Sequence, residues 1–374
     1  MGKRKNPIMK NVLHYIVTHR YKKLSFRGGW ILTHFFYNDY RERKGSFLRI
    51  LRTHLKGWCY SDWCILGIND ENRKEYLSTY EYCTLHPLNK EFSSWIDDKL
   101  ILKYILHGTP AGDYMPDYYF QIENNGTILS LMNCPEDYQG VQGIVKILQE
   151  KKALAFKLIK ASLGVGFYKA EFVGPNCYFL NGVQYDEVAF IEKCLSLRGY
   201  LVTEYLKPHK EFAKFCDKSV GCLRFTIGRK LDGSLCHINT FMRFGTRRSD
   251  FVENYAQGGV LTFINDGKYS SGNILDYETN SNVVIDCHPD NGILLQGEIP
   301  SWPKIVEAAH LIANTLPQLC YLGIDFCVTD DEQIKIIEIN SFSSLDGFQF
   351  DKSIFKKPGG EFFKERLSIK RDYQ

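Results

Sequence analysis

The residues best suited to chemistry stand in two short stretches near the end of the sequence, Gly323–Asp325 and Glu338–Asn340. Each stretch lies in an apolar segment, and the pattern predicts two strands of one hairpin. Side chains two apart on a strand share a face, so Glu338 and Asn340 project together, and antiparallel pairing can bring Asp325 beside them. Three oxygen donors on rigid strands suit Mg²⁺, which also takes water and substrate phosphates. A solvated polar face is the alternative, but an unpaired carboxylate in the apolar run QIKIIEINSF would be costly.

A second group of residues, from Lys157 to Gly166, could hold a phosphate. The pattern predicts a strand over 153–159, a Ser/Gly turn over 162–166 and a returning strand over 167–172. A lysine that leads into such a turn can place its charge on a phosphate, which the turn's amides approach closely. A plain glycine hairpin is the alternative, since no P-loop motif is present. Lys157 and Lys160 lie on opposite faces of a regular strand, so at most one points into a site.

A third group lies at the end of the predicted strand 200–206. This apolar strand reaches a carboxylate at Glu204, and the chain then breaks at Pro208. Such an edge could hold a purine through backbone groups near Leu206, with Glu204 taking an amine or a hydroxyl. An ordinary strand end is the alternative interpretation.

The elements that must position these residues predict an α+β fold. The first 95 residues are predicted to be mainly helical, and a helix over about 95–107 carries Lys99 near its start. Short strands follow, and the segment 303–319 is the clearest helix, with a proline at a likely first position. Strands and helices are mixed without a regular βαβ alternation, which favours α+β over a doubly wound sheet.

Composition excludes several classes of protein. At 374 residues, the chain is long enough for two or three packed units. With 44% hydrophobic and 24% charged residues, it is neither fibrous nor disordered. It has no apolar run of roughly 20 residues and no signal-peptide pattern, so we expect a cytoplasmic protein. The 12 cysteines are scattered without a Cys-x-x-Cys pair, and we expect them to be reduced.

The charge of the chain is unevenly distributed. The first 57 residues contain 14 Lys and Arg but only two acids, Asp39 and Glu42, which gives +12 against −8 for the remainder. Because apolar and aromatic residues are interleaved with these charges, residues 1–57 could contact an anionic membrane surface. A solvated basic face of a helical layer is the alternative. We expect no nucleic-acid partner.

Taken in order, these motifs resemble the ATP-grasp superfamily over about residues 75–350. The finer sequence resembles its subgroup of sugar-transfer-associated ATP-grasp proteins. The stretches that carry this resemblance are Ser-Leu-Gly-x-Gly-Phe-Tyr-Lys at 162–169, Glu-Tyr-Leu-x-x-His at 204–209, Ser-Val-Gly-Cys-Leu-Arg at 219–224, Met-Arg-Phe-Gly at 242–245 and Gly258-Gly259.

The resemblance implies an enzyme in which two α+β lobes clasp Mg·ATP, with one or two Mg²⁺ ions. A carboxylate attacks the γ-phosphate to form an acyl phosphate, and an amine then displaces phosphate. By this resemblance the ATP contacts are Lys99, Lys157, Ser162, Gly164, Gly166, Glu204, Tyr205 and Leu206, and the magnesium ligands are Asp325, Glu338 and Asn340. Arg224 and Arg243 are the candidate catalytic residues, since arginine offers a bidentate fork to phosphoryl and carboxylate groups. Candidate substrate contacts are His209, Asn254, Gly258 and Gly259.

The resemblance also implies an organisation and a substrate class. We expect a basic helical region over 1–94, a first lobe over 95–205 with a nucleotide-covering subdomain at about 151–205, a second lobe over 206–350 and a tail over 351–374. The expected reaction joins an amino acid or amine to a carboxyl-bearing sugar or surface-polysaccharide precursor. Two alternatives stay open, namely a kinase that phosphorylates a hydroxyl of a sugar-like substrate and a catalytically idle nucleotide-binding scaffold at the membrane surface.

Two positions depart from the family pattern. Leu158 follows the strand lysine where the family usually has proline, which leaves the choice between Lys157 and Lys160 open. Gly221-Cys222 stands where the subgroup usually has Asn-Thr, and this could change a polar contact near the acceptor.

Overall fold

The computed structural model describes residues 7–42, 45–159 and 166–372. Within these ranges the strands pair antiparallel in two seven-stranded sheets and one two-stranded sheet, against which helices pack, so the predicted α+β class is confirmed. The helices are α1 (Pro7–Arg20), α2 (Phe26–Arg41), α3 (Phe47–Leu55), α4 (Tyr60–Ile65), α5 (Thr79–Leu85), α6 (Ser94–Asp97), α7 (Lys99–Leu106), α8 (Gly140–Lys151), α9 (Glu187–Ser196), α10 (Lys210–Ala213), α11 (Trp302–Thr315) and α12 (Gly360–Asp372).

The strands follow the same order along the chain. They are β1 (Tyr118–Ile122), β2 (Ile128–Ser130), β3 (Ala153–Leu158), β4 (Tyr168–Gly174), β5 (Cys177–Leu180), β6 (Val183–Tyr185), β7 (Tyr200–Glu204), β8 (Cys222–Arg229), β9 (Leu235–Phe244), β10 (Val260–Phe263), β11 (Lys268–Tyr269), β12 (Gly272–Asp276), β13 (Ser281–Ile285), β14 (Gly297–Glu298), β15 (Tyr321–Val328) and β16 (Ile334–Asn340).

The first sheet has the order β2-β1-β7-β3-β4-β5-β6 in the described part of the chain. Helices α8 and α9 lie against it, and their apolar residues, such as Ile144, Leu148 and Phe190, share one core with Phe120 and Phe156. β3 pairs with β4 as the predicted hairpin. The lysine-bearing strand and its return are therefore anchored in a core of their own.

The second sheet has the order β13-β12-β10-β9-β8-β15-β16 over the described residues. The predicted helix 303–319 is observed as α11, whose buried Ile305 and Ala309 pack with Phe225 and Ile324 of the sheet. The predicted hairpin is β15 and β16, which pair antiparallel. This hairpin is the frame of the candidate site.

The helix predicted over about 95–107 is interrupted, because Asp98 has an extended backbone with ψ 117°. Its carboxylate accepts hydrogen bonds from the amides of Leu100 and Ile101 and so caps α7. Residues 96–115 share the core of the second sheet, as buried Ile96 and Leu102 show. The predicted lobe boundaries stay a prediction.

Helices α5 and α12 meet on the second sheet. The predicted N-terminal helical region is confirmed by α1 to α5. The segment predicted as a tail contains α12, whose Phe362 and Phe363 are fully buried beside Tyr82 of α5 and Tyr321 of β15. Hence most of residues 351–372 belong to the folded body. No helix in the described ranges is long and apolar enough to cross a membrane.

Candidate active site

Strand pairing gathers the predicted polar residues on one face of the second sheet. Asp325 of β15 lies opposite Glu338 of β16 and opposite Arg224 of β8. In turn Cys222 of β8 lies opposite Arg243 of β9. Residues directly opposite in a ladder point to the same face, and so do residues two apart on a strand. Two carboxylates and two guanidinium groups therefore converge, and Asp325 lies beside Glu338 as antiparallel pairing was expected to allow.

Asp325 is the centre of this group and is only 2% exposed. Its Oδ1 accepts from Arg224 Nε at 2.5 Å and its Oδ2 from Arg224 Nη2 at 2.8 Å, which is a bidentate pair. Arg243 Nη2 also contacts Oδ2, at 3.1 Å. Burial alone would raise the pKa of Asp325, but the two guanidinium groups outweigh it and lower the pKa to about 2. Asp325 is thus ionised throughout the physiological range.

Glu338 and Asn340 lie at the more open edge of the same face. Glu338 Oε2 is 3.2 Å from Lys99 Nζ, and Asn340 Nδ2 donates to Glu338 Oε1 at 3.2 Å. Lys99 is the first residue of α7, so the cap formed by Asp98 fixes the backbone from which this lysine extends. A pocket of about 520 Å³ is lined by these three side chains and by Arg27 of α2.

The donor set on this face fits a hard cation. Glu338 and the amide oxygen of Asn340 are oxygen ligands of the kind that Mg²⁺ takes, together with water and phosphate oxygens. Both carboxylate oxygens of Asp325 accept hydrogen bonds from arginines, so Asp325 would coordinate a cation through an oxygen that an arginine also binds. Lys99 presently neutralises Glu338 where a bound cation would do so. Among the described residues, no group of three or more His, Cys, Asp or Glu side chains could hold a metal ion. A magnesium site on this face would therefore need the amide oxygen of Asn340 as one of its ligands.

Lys157 extends from the first sheet toward this face of the second. Desolvation lowers its pKa, and the positive charge of Lys99 lowers it further. Glu338 and Glu204 act on the same ammonium group in the opposite direction. Lys157 therefore interacts electrostatically with Glu338, one of the candidate magnesium ligands. Lys160 lies outside the described residues.

The segment that joins the two sheets contains the predicted adenosine contacts Glu204, Tyr205 and Leu206. Glu204 Oε2 accepts from the amide of Asp117 at 3.1 Å. The Lys169 ammonium lies 4.9 Å from the centre of the Tyr205 ring. Leu206 is buried, and the following residues bond to the end of β15, where the amide of His209 donates to the carbonyl of Val328. This linker is thus tied to the hairpin that carries Asp325.

Of the predicted phosphate turn, Gly166 alone falls within the described residues, whereas Ser162 and Gly164 lie outside them. Gly166 has φ +72°, which favours glycine, and a Cβ there would lie 2.6 Å from a methyl group of Leu158. This glycine therefore allows close packing of the turn's end against β3.

His209 has a local structural role. Its ring Nδ1 accepts from the amide of Glu211, which caps the short helix α10, and the side chain is buried beside Phe212. Nothing in these contacts directs the ring toward Asp325. Its predicted substrate contact stays a prediction.

The predicted substrate loop 254–259 is held by its own hydrogen bonds. Asn254 Oδ1 accepts from the amide of Ala256 at 3.0 Å, and the amide of Gly259 donates to the carbonyl of Asn254. Gly258 has φ +104°, and a Cβ on Gly259 would lie 3.0 Å from three backbone atoms. These residues shape the loop, and their predicted contact with substrate stays a prediction.

Sequence reasoning missed Glu253, which precedes this loop and faces the site. Its carboxylate accepts from the amide of Gly221 at 2.5 Å and interacts with Arg243 and Asp325. Desolvation raises the pKa of Glu253 to about 7, against the opposing effects of Arg243 and the Gly221 amide. A lone acid in a loop carries no periodic signal, so its sequence context gave no reason to select it.

The two arginines have different surroundings. Arg224 is bound by Asp325 and donates through Nη1 to Ser343 Oγ at 3.2 Å. Arg243 Nη2 contacts Cys222 Sγ at 2.7 Å and Asp325, but its Nε is buried and has no hydrogen-bond partner among the described residues. A buried donor without a partner is unusual. Arg243 is therefore the arginine with bonding capacity left for an anion.

Comparison with known families identifies the class. The family model for sugar-transfer associated ATP-grasp proteins matches residues 84–358. The fold is thus an ATP-grasp fold, and the chain belongs to the sugar-transfer associated ATP-grasp family. The resemblance inferred from the motifs is confirmed. No curated protein sequence matches the chain.

Several solved structures are similar at low sequence identity. D-alanyl-alanine synthetase A from Vibrio cholerae O1 biovar eltor str. N16961 is 13% identical, with 75% of this chain and 66% of that chain covered and a TM-score of 0.43. The VanG D-Ala:D-Ser ligase from Enterococcus faecalis is 14% identical, with 75% of this chain and 62% of that chain covered and a TM-score of 0.40. N5-carboxyaminoimidazole ribonucleotide synthetase from Thermotoga maritima is 12% identical, with 73% of this chain and 50% of that chain covered and a TM-score of 0.37. The chain thus spans half to two thirds of these proteins, and likeness of this degree says nothing about its activity.

Proposed function

We propose that this protein is an ATP-dependent carboxylate–amine ligase that acts through an acyl phosphate. The observation that carries the proposal is the convergence of Lys99, Asp325, Glu338, Asn340 and Arg243 on one face, with Lys157 reaching toward them from the other sheet. Phosphoryl transfer depends mainly on positioning and charge neutralisation, and this set supplies both. Membership of the ATP-grasp family supports the same conclusion.

Each residue has a distinct proposed role. Lys99 and Lys157 bind the phosphates of ATP as point charges. The carboxylates of Asp325 and Glu338 and the amide oxygen of Asn340 hold magnesium, which supplies neutralisation of phosphate charge when bound. The turn around Gly166, with Ser162 and Gly164, covers the phosphates.

The arginines and the linker complete the proposal. Arg243 binds the transferred phosphoryl or the acceptor carboxylate through its unpartnered Nε, and Arg224 positions Asp325. Glu204, Tyr205 and the backbone at Leu206 bind the adenosine. Asn254, Gly258, Gly259 and His209 shape the side where the acceptor enters.

The proposed substrates are a small-molecule carboxylate and an amine or amino acid. We propose a carboxyl-bearing sugar or surface-polysaccharide precursor as the carboxylate, and the association with sugar transfer in the family description supports a sugar-related substrate. We place the reaction in the cytoplasm, with peripheral contact at an anionic membrane. All twelve cysteines are free thiols, which supports a reducing compartment.

Phosphate release measured against panels of carboxylates and amines tests the proposal. A ligase requires both a carboxylate and an amine for full turnover, with one ADP and one phosphate formed for each new C–N bond. ADP formation with an alcohol alone and no free phosphate would instead establish a kinase. ATP binding without turnover on any panel would favour an idle scaffold.

A further inference from the structure

The outward face of α1 is apolar. Ile8, Val12, Tyr15 and Ile16 follow helical spacing along it and are 54–74% exposed. The opposite face of α1 carries Val17, which is 2% exposed and packs in the N-terminal core. Apolar residues therefore lie on the exposed face of α1 as well as on its buried face.

The outward face of α3 has the same character. Phe47, Leu48 and Leu55 are 53–66% exposed, whereas Ile50 and His54 are buried. Large exposed apolar patches of this kind mark sites of interaction with a protein or a membrane. Two neighbouring helices therefore show unpartnered apolar faces.

Both helices lie on the same side of α2. His14 of α1 is hydrogen-bonded to Thr33 Oγ1 at 3.0 Å, and the His54 ring of α3 stacks on Phe36 with 3.8 Å between ring centres. Thr33 and Phe36 are three residues apart and share one face of α2. The outward faces of α1 and α3 consequently point to the same side of the molecule, and we call them together the outer helical surface.

The other side of α2 packs on the body of the protein. A Cβ on Gly28 would lie 2.3 Å from the carbonyl oxygen of Cys83 in α5, and Phe35 stacks against Phe342 with ring centres 6.1 Å apart. The helices α1 and α3 therefore pack on α2 away from these contacts, and their outward apolar residues are exposed among the described residues.

Positive charge surrounds the outer helical surface. Of the two acids in this region, Asp39 is buried in a pair with His54, and Glu42 is paired with Arg41. The remainder of the chain carries −8. The cationic residues in the described part of residues 7–57 are Lys10, Arg20, Lys22, Lys23, Arg27, Arg41, Arg49, Arg52 and Lys56, of which Arg41 is paired with Glu42 and Lys56 with Asp70.

We propose that the outer helical surface binds an anionic lipid bilayer. Its apolar side chains enter the boundary between headgroups and acyl chains, and its lysines and arginines contact the lipid phosphates. A second copy of this chain is a poor occupant, because it would bring two surfaces of the same positive charge together. Each part of this surface, apolar and cationic, is matched by one part of the bilayer interface.

The start of α2 adjoins the candidate active site. Arg27 follows Phe26, which is 83% exposed at the start of α2, and its side chain lines the pocket that also contains Lys99 and Glu338.

Sedimentation of the full-length protein with vesicles tests the proposal without ATP, so its outcome is independent of the ligase activity. The probes are phosphatidylglycerol-containing vesicles and pure phosphatidylcholine vesicles. We expect binding to the anionic vesicles alone, weakened by salt, and a loss of roughly tenfold or more in the partition coefficient for the double variant Ile16→Glu/Leu48→Glu. Val188→Glu, at a 68% exposed position on α9, is the matched control and should bind like the wild type.

Brominated lipids provide a second readout that does not depend on folding of the double variant. Trp30 lies 43% exposed beside α1, with Lys10 over its ring at 4.1 Å, so these lipids should quench its fluorescence, and Trp30→Phe should remove most of the quenching. The proposal is overturned if the wild type ignores anionic vesicles, or if the double variant binds as well as the wild type. It is also overturned if the wild type forms a dimer in place of vesicle binding and the double variant is monomeric.

Discussion

At the scale of single residues, Asp325 combines a proposed role in metal binding with a structural role in charge pairing. It is a proposed magnesium ligand, and it is also the buried counter-ion of Arg224 and Arg243. A carboxylate shared in this way is held rigidly, but its removal leaves two cations without compensation.

Asp325→Asn should therefore destabilise the protein by roughly 3–5 kcal/mol, because it uncovers the charges of both arginines. Urea unfolding followed by circular dichroism measures the change. Glu298→Gln, which removes one partner of an exposed pair with Lys268, should cost under about 1 kcal/mol. Equal stability of Asp325→Asn and the wild type would contradict the structural role.

Glu338→Gln should separate chemistry from folding. The side chains of Glu338 and its partner Lys99 are 24% and 13% exposed, and glutamine keeps the shape of Glu338, so the loss of stability should be small beside that of Asp325→Asn. ATP turnover should fall by about 100-fold or more, because a charge that neutralises the phosphates through magnesium is lost. Comparison of kcat with the unfolding midpoint makes the test, and normal turnover in a folded variant would show that the magnesium site is misplaced.

Glu253 should make stability depend on pH between about 4.5 and 7. Its folded pKa is raised above the ordinary value, so the folded state holds the proton more tightly and stability falls as pH rises through this range. At 1.36 kcal/mol per pKa unit the change is up to about 3 kcal/mol. Asp325, whose folded pKa is lowered, acts in a separate window below about pH 4.

Unfolding free energies of the wild type and Glu253→Gln at several pH values test this effect. The variant should gain stability relative to the wild type as pH increases from 5 to about 8, since it has no carboxylate to ionise. Parallel pH profiles for the two proteins would be inconsistent with a buried titrating Glu253.

At the scale of elements, the apolar alternation and turn residues were enough to predict the hairpin of β15 and β16. The face shared by Glu338 and Asn340 follows from a period of two. The register of this hairpin shifts after Asp325, since Asp325 pairs with Glu338 while Phe326 pairs with Ile336. This shift was not predictable from the sequence. Such a bulge depends on contacts with neighbouring strands, which a single sequence does not contain.

The break between α6 and α7 shows the same limit. Apolar periodicity runs through Asp98 and favours one helix, yet this aspartate caps α7 and gives Lys99 its place at the first turn. Whether the chain continues one helix through Asp98 or starts a new one there is decided by the packing of α6 on β16.

Asp98→Ala should cost about 1 kcal/mol of stability, the typical effect of losing an N-cap. Because α7 positions Lys99, the apparent KM for ATP should rise in the same variant. Asp98→Asn retains an accepting oxygen and should behave nearly as the wild type. Identical KM values for Asp98→Ala and Asp98→Asn would show that the cap does not position Lys99.

At the scale of the whole molecule, the candidate site depends on how the two sheets meet. Lys157 belongs to one core and Asp325 to the other, and the linker after β7 joins the sheets beside the turn of the hairpin. The motifs predicted which residues come together but not that the chain around Lys99 shares the core of the second sheet. That assignment rests on long-range apolar contacts, such as Leu102 with the core of Phe326, and local patterns do not encode them.

Calorimetric titration of the full-length protein with Mg·ATP tests the central claim most directly. We expect saturable binding by the wild type that depends on magnesium, is strongly weakened in Lys157→Met and Glu338→Gln, and is unchanged in the surface control Glu298→Gln. The same ligand should raise the unfolding temperature of the wild type by mass action. Absence of binding at millimolar Mg·ATP, or equal binding by all four proteins, would contradict a nucleotide site between the two sheets.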